Sequence, residues 1–408
     1  MNIQHKTILI VGAGREQVPA YLIAKKMGLK IISTDQDENA PGFKFADHCL
    51  RVSTRDDKKT LEVVKDFCLG HQIDGVMTIA NDVPLTVSRI SNYYSLPGLS
   101  VNSALLLSNK ILMKEKFNQN HVQSPPFKKV NTLEDIVDFS IDHGFPLVLK
   151  PVDGRGSRGV ILLKDMKGAR KFFSKIKSMS NQDYLIVEKY IEGQQLSVES
   201  IFLNKKYFPI AFADRNYDLK KVTEPYFFED GGVMPSSVSA DDKEKISELV
   251  KGASKSLGID WGSVKADIVL SAKGPQIIEL AGRLSGGYMS TFDIPNVYNV
   301  DLVGILIRLS LGLTIDENEV KKEPVRAICS RYIYSLKDGK IKQFEFPAAF
   351  NKNIHTSKFL NKGDKIWALN SGLTTTRAGV VRALASDISK AKELAQRVIR
   401  DTKFIVKK

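Results

Sequence analysis

Cysteine, tryptophan and acidic residues are all scarce in this chain, and each scarcity narrows what it can be. Cys49, Cys68 and Cys329 are odd in number and lack the close spacing of a zinc site. A disulfide-stapled secreted fold and a cysteine metal centre are therefore not expected, and a reducing, cytoplasmic compartment is. No apolar run approaches the roughly 20 residues that a membrane-spanning helix needs. Met1–Lys6 leads straight into the apolar stretch Thr7–Val11, without the longer hydrophobic region and cleavage site of a secretory signal. Asp and Glu number 46 against 60 Lys and Arg, a formal net charge of +14. Such a charge favours polyanions. The lysines are scattered, however, and aromatic side chains are not interleaved with them as base-stacking platforms would require. No specific nucleic-acid partner is expected.

With 408 residues, 43% of them hydrophobic, the chain can hold two or three domains with their own cores. The first part alternates apolar strands with helices: Thr7–Val11, a helix through Met27, Leu29–Asp35, a helix over Thr60–Cys68, then Gly75–Ile79. That is the βαβ pattern of a parallel sheet. Gly12-x-Gly14 followed by Asp35 suggests a dinucleotide loop, but Gln17 stands where the third glycine of that fingerprint belongs. Asp82, just after a parallel strand, sits where such sheets form ligand crevices, and it can equally cap the next helix. A helix from Asn102 to Asn120 and the break Ser124-Pro125-Pro126 separate this part from the rest.

The run Lys150-Pro151-Val152-Asp153-Gly154-Arg155-Gly156-Ser157-Arg158-Gly159 reads as a strand ending in a lysine and then a basic, glycine-rich loop. A second apolar strand follows over Val160–Leu163. Glycines let backbone N–H groups close on phosphate oxygens. The pattern is strand–loop–strand and not a Walker A loop, so it predicts a phosphate flap on a hairpin. An ordinary turn with solvated arginines is the plain alternative. Further on, Val264–Leu270 and Ile277–Arg283 read as strands of a hairpin turned at Ala272–Pro275. They carry Asp267 and Glu279 within them. Carboxylates in strand interiors are seldom left unpaired. Converging beside a phosphate loop, they suggest magnesium, which shares oxygen ligands with nucleotide phosphates.

In this order the segments resemble the ATP-grasp superfamily over nearly the whole chain. The resemblance implies an α/β and α+β multidomain protein. A Rossmann-like N-terminal domain (1–102) and a linker helix (103–127) would come first. A two-lobed ATP-grasp fold (128–200 with the flap, 201–323 with the metal site) and a small β-rich C-terminal domain (324–408) would follow. It implies ATP and Mg2+ as cofactors. Lys110 and Lys150 match the nucleotide lysines, Gly156 and Ser157 the flap, and Glu188, Lys189, Tyr190 and Ile191 the adenine linker. Gln195 or Leu196 falls near the ribose position, where the family commonly has Glu. Asp267 and Glu279 match the metal carboxylates, with Ala281 in place of a frequent Asn. Arg283 matches the arginine that meets phosphate or the reacting intermediate.

Tyr226–Ser236 and the Arg283-Leu284-Ser285-Gly286-Gly287 motif look like segments of L-amino-acid ligases. On that likeness Glu229, Arg283 and Lys150 are the catalytic candidates. Asp82, Glu229, Arg283, Gly286 and Gly287 are the substrate candidates. The implied reaction activates a carboxylate as an acyl phosphate and joins it to an amine, with small-molecule partners, no membrane and a homodimer as the assembly. Bicarbonate activation, as in purine-pathway carboxylases or carbamoyl-phosphate synthase, and a non-catalytic nucleotide-binding protein are the alternatives.

Overall fold

The computed structural model describes residues 3–347, 352–369 and 377–407. The N-terminal sheet runs in the order His48–Arg51, Lys30–Asp35, Thr7–Val11, Gly75–Met77, with every pairing parallel. Ile8, Leu9, Ile10 and Val11 are all fully buried. A continuous apolar strand of this kind belongs in a sheet covered on both faces. Asp35 accepts a hydrogen bond from the backbone N–H of Ala13 at 2.9 Å, so its carboxylate is spent on closing the Gly12–Gly14 loop.

Where one helix was expected over Asn102–Asn120 there are two, Val101–Ser108 and Lys110–Gln119. Asn109 breaks them. It is extended, and its side chain accepts from the N–H groups of Ile111 and Leu112, which caps the second helix. Lys110 thereby becomes the first residue of a helix that points into the next domain.

An antiparallel sheet follows in the order Phe127–Val130, Leu185–Lys189, Leu147–Pro151, Ile161–Leu163. Helices Leu133–His143 and Met166–Lys177 share one apolar cluster with it. The flap is the connection between its last two strands.

The largest sheet has eight strands, ordered Gly274–Ala281, Gly262–Ser271, Gln194–Leu203, Lys206–Asn216, Gly231–Met234, Ala327–Ile333, Gly379–Ala385, Ile354–Lys358. The boundary expected at 200 falls inside one of these strands. The boundary at 323 precedes three more of them, so the hydrogen-bonded ladder continues into the C-terminal part. Alternation sets the faces. Leu196, Val198, Val264, Ala266 and Ile268 pack with Ile246 and Val250 of helix Ala240–Ser256. Ser197, Glu199, Lys265 and Asp267 lie on the opposite face.

Lys337-Asp338-Gly339-Lys340 reads in the sequence as a hairpin turn following a strand over Val325–Tyr334, but it does not close a hairpin. Ala327–Ile333 pairs within the large sheet, whereas Gly339–Glu345 pairs with Lys365–Ile366 and Lys403–Lys407 in a separate three-stranded sheet. The turn residues carry the chain between two sheets, a choice made by the partners available and not by the turn itself. Helix Ile388–Asp401 covers the C-terminal strands through Ala391 and Ala395. Among the described residues no helix is long and apolar enough to cross a membrane.

Candidate active site

All the site residues anticipated from the sequence line one cavity of about 750 Å³ between the N-terminal domain, the flap sheet and the large sheet. At its nucleotide end Lys110 donates to the carbonyl of Gly154 at 2.7 Å and sits 2.9 Å from Glu279. The flap is shaped by left-handed backbone at Gly156, Ser157 and Gly159. Its base is tied down by Asp153, which accepts from Ser180 and Asn181.

Beneath the flap, Glu188 is 3% exposed and is shared by Lys150 at 2.8 Å and Lys114 at 3.3 Å, themselves 4% and 1% exposed. Burial pushes the Glu188 carboxyl up, and the two ammonium groups together outweigh it and hold it below the ordinary range. Lys114 is drawn down to about 8, mainly by burial and against the pull of Glu188. Glu188 was expected in the adenine linker. Its side chain lies under the lysines as their counter-ion, because the strand places alternate side chains on opposite faces. Lys114 carries no sequence signal beyond a spacing of four from Lys110 on one helix face. The linker itself continues through Lys189, which donates to the carbonyl of Gly144 at 3.2 Å. Tyr190 follows, its hydroxyl 2.7 Å from the Lys220 ammonium. Ile191 and Gln195 complete this wall, whereas Leu196 points into the core.

Asp267 and Glu279 are direct cross-strand partners in the hairpin register. Both are already next to cations. Arg215 donates to Asp267 at 2.9 Å, Lys265 pairs with it, and Ser197 donates at 3.3 Å. Burial raises the Asp267 carboxyl, but Arg215 and Lys265 overcome it and hold it far below the usual carboxylate range. Arg215 also forks onto Glu229 through Nε at 3.1 Å and Nη2 at 2.8 Å. Neither Arg215 nor Lys265 was singled out from the sequence. Lys265 alternates with the apolar Val264 and Ala266, the pattern of any solvated sheet face, and Arg215 sits in the polar run Asp214-Arg215-Asn216 at the end of its strand.

The substrate end joins the N-terminal domain to the large sheet. Arg283 donates to Asp82 at 2.7 Å. Asp82 does not cap the following helix, whose first turn has no side-chain cap. Burial raises the Asp82 carboxyl and Arg283 more than reverses the effect. Gly287 donates its N–H to Glu16 at 2.8 Å, and a Cβ on Gly286 would meet the same carboxylate at 2.7 Å. The glycines thus allow the N-terminal domain to approach this turn closely. Under it, Glu199 is fully buried and accepts from Ser285 N–H at 3.1 Å. Burial pushes the Glu199 carboxyl up to about 7.

Residues 107–287 match the ATP-grasp domain model, and residues 8–92 match the PylC-like N-terminal domain model. By these matches the chain carries an ATP-grasp domain behind a PylC-like N-terminal domain. Its relatives include proteins named as ligases. It is 27% identical over 314 residues to alanine–anticapsin ligase of Bacillus subtilis, covering 71% of this chain and 65% of that protein. It therefore spans about two thirds of that relative's length. The fold superposes on the L-amino acid ligase of Bacillus licheniformis with a TM-score of 0.83 and 18% identity, covering 99% and 100% of the two chains. On phosphoribosylglycinamide synthetase from Anaerococcus prevotii the TM-score is 0.78 with 22% identity, again covering 99% and 100%.

Proposed function

We propose that the protein is an ATP-dependent carboxylate–amine ligase that forms an amide through an acyl phosphate, releasing ADP and phosphate. The observation that carries this reading is the single cavity in which the Lys110–Lys150 flap end meets Arg283 and Glu229. Charge builds on a phosphoryl group during transfer, and fixed cations stabilise it best where water is excluded. Lys110 and Lys150 hold the phosphates from the flap side. Arg283, oriented by Asp82, faces the carboxylate that receives the γ-phosphoryl group. The carboxylate oxygen bonds to phosphorus as the bond to ADP breaks. The amine then attacks the acyl carbon, the carbon–oxygen bond to phosphate breaks, and the amine loses a proton. Glu229 supports this step by holding the amine, while Arg215 restrains the carboxylate.

Asp267 and Glu279 fit a magnesium ion. Opposed on one hairpin, they are two oxygen donors in a place that already attracts cations, and Ala281 adds no further ligand. Among the described residues no cluster of three or more ligating side chains exists. Such a site suits an ion that takes its other ligands from phosphate and water. When bound, the ion would offset charge on the transferring phosphoryl group. A homodimer in the cytoplasm completes the reading, and light scattering tests the assembly.

Hydroxylamine intercepts acyl phosphates. With a panel of small carboxylates, ATP and magnesium, the protein should yield a hydroxamate and ADP. Release of AMP and pyrophosphate would instead mean an adenylate and would reject the mechanism.

A further inference from the structure

We propose that Arg377 holds the carboxylate of the amine substrate, so that the acceptor is an α-amino acid and not a simple amine. This rests on the ligase reading above and adds the acceptor's chemical class. Arg377 enters the cavity from the C-terminal part of the chain, at the start of strand Gly379–Ala385. Its guanidinium lies 3.8 Å from the centre of the Tyr332 ring and donates to the Glu229 carbonyl at 3.3 Å. Tyr334 donates to the same carbonyl.

Among the described residues no carboxylate forms an ion pair with Arg377. The two acidic side chains nearest this end are already engaged, since Arg215 binds both Glu229 and Asp267, and Lys265 binds Asp267 as well. Three cations, Arg215, Lys265 and Arg377, thus face two carboxylates. Tyr217, Tyr332 and Tyr334 cannot balance the excess, because burial raises all three phenols and keeps them neutral. Glu229 favours the charged guanidinium without reaching ion-pair distance, and an anionic ligand group would give Arg377 a direct partner.

Arg377 lies beyond Glu229 as seen from Asp267: Arg215 bridges Asp267 to the Glu229 side chain, and Arg377 donates to the Glu229 carbonyl. Glu229 lies beside Arg377, so an amino group next to Glu229 and a carboxylate on Arg377 fit one zwitterion.

The test is thermal denaturation of the full chain saturated with magnesium and a non-hydrolysable ATP analogue. A pool of the proteinogenic L-amino acids is compared with a pool of their carboxamides. The acids should raise the melting temperature and the amides should not. Arg377→Met should abolish the response to the acids while keeping the shift from the ATP analogue, which shows that the variant is folded. Arg377→Lys should restore part of it. An equal response to amides, a response to acids that survives in Arg377→Met, or no response to either pool overturns the proposal. Hydroxamate formation by the unaltered protein separates the two readings. If it occurs while acids and amides are not distinguished, Arg377 alone is misassigned. If it does not occur, the ligase reading fails.

Discussion

Lys150 reaches the carboxylate of Glu188 at 2.8 Å in an environment where both side chains are almost completely buried. With Lys114 on the other oxygen, one negative charge serves two positive ones, and the surplus is what a phosphate would neutralise. Glu188→Gln leaves two buried ammonium groups without a counter-ion, so it should destabilise the fold by about 3–5 kcal/mol. Chemical denaturation measures this directly. Saturating ATP should recover part of the loss, because it supplies the missing negative charge. A variant as stable as the parent would show that the lysines are not charged together.

The stability of the free protein should depend on pH through Glu199. Its folded pKa is raised to about 7 from 4.5, so the folded state binds more protons than the unfolded state between those values. The contribution is fully present below about pH 4.5 and is lost as pH rises through 7. Asp293, raised to about 7 by burial, acts in the same direction. Glu199→Gln should flatten the decline in melting temperature over this window, leaving only the part due to Asp293.

Glu279→Gln should keep the hairpin and weaken the metal site. The magnesium concentration needed to support ATP binding, followed by calorimetry, should rise by about tenfold or more. Lys110 loses its ion-pair partner in the same variant and should be freer to meet phosphate. ATP binding without magnesium should therefore fall less than binding with it. Equal losses under both conditions would mean that Glu279 does not serve the metal.

Asp82→Asn should lower turnover by about a hundredfold, with a much smaller effect on the KM for ATP. The reason is that Asp82 holds Arg283, which in the proposed reaction faces the transferring group and not the adenosine. Steady-state kinetics distinguishes this from a nucleotide-binding defect, in which KM would carry most of the change.

Much of the fold was legible in the residues. The N-terminal βαβ pattern, the strand pair around the flap and the hairpin bearing Asp267 and Glu279 all follow from periodicity and turn chemistry, which act over a few residues. The break at Asn109 had a local signal, an N-cap residue before an apolar run, that competed with unbroken helical periodicity. The turn at Lys337–Lys340 shows the limit. Its residues specify a change of direction, but which sheet receives the next strand depends on edges built by distant segments.

The same division holds for the site. Residue type and order by themselves brought forward a glycine-rich basic loop, two strand carboxylates and an arginine as candidates for phosphate chemistry, because such groups act through charge and backbone freedom. Only the tertiary structure decided that Glu188 would neutralise Lys114 and Lys150, that Arg215 would join Glu229 to Asp267, and that Arg377 would reach the cavity from the far end of the sheet. Ion pairs between residues tens of positions apart have no local signature. They arise when strands stack in one order and burial makes an unpaired charge too costly to keep.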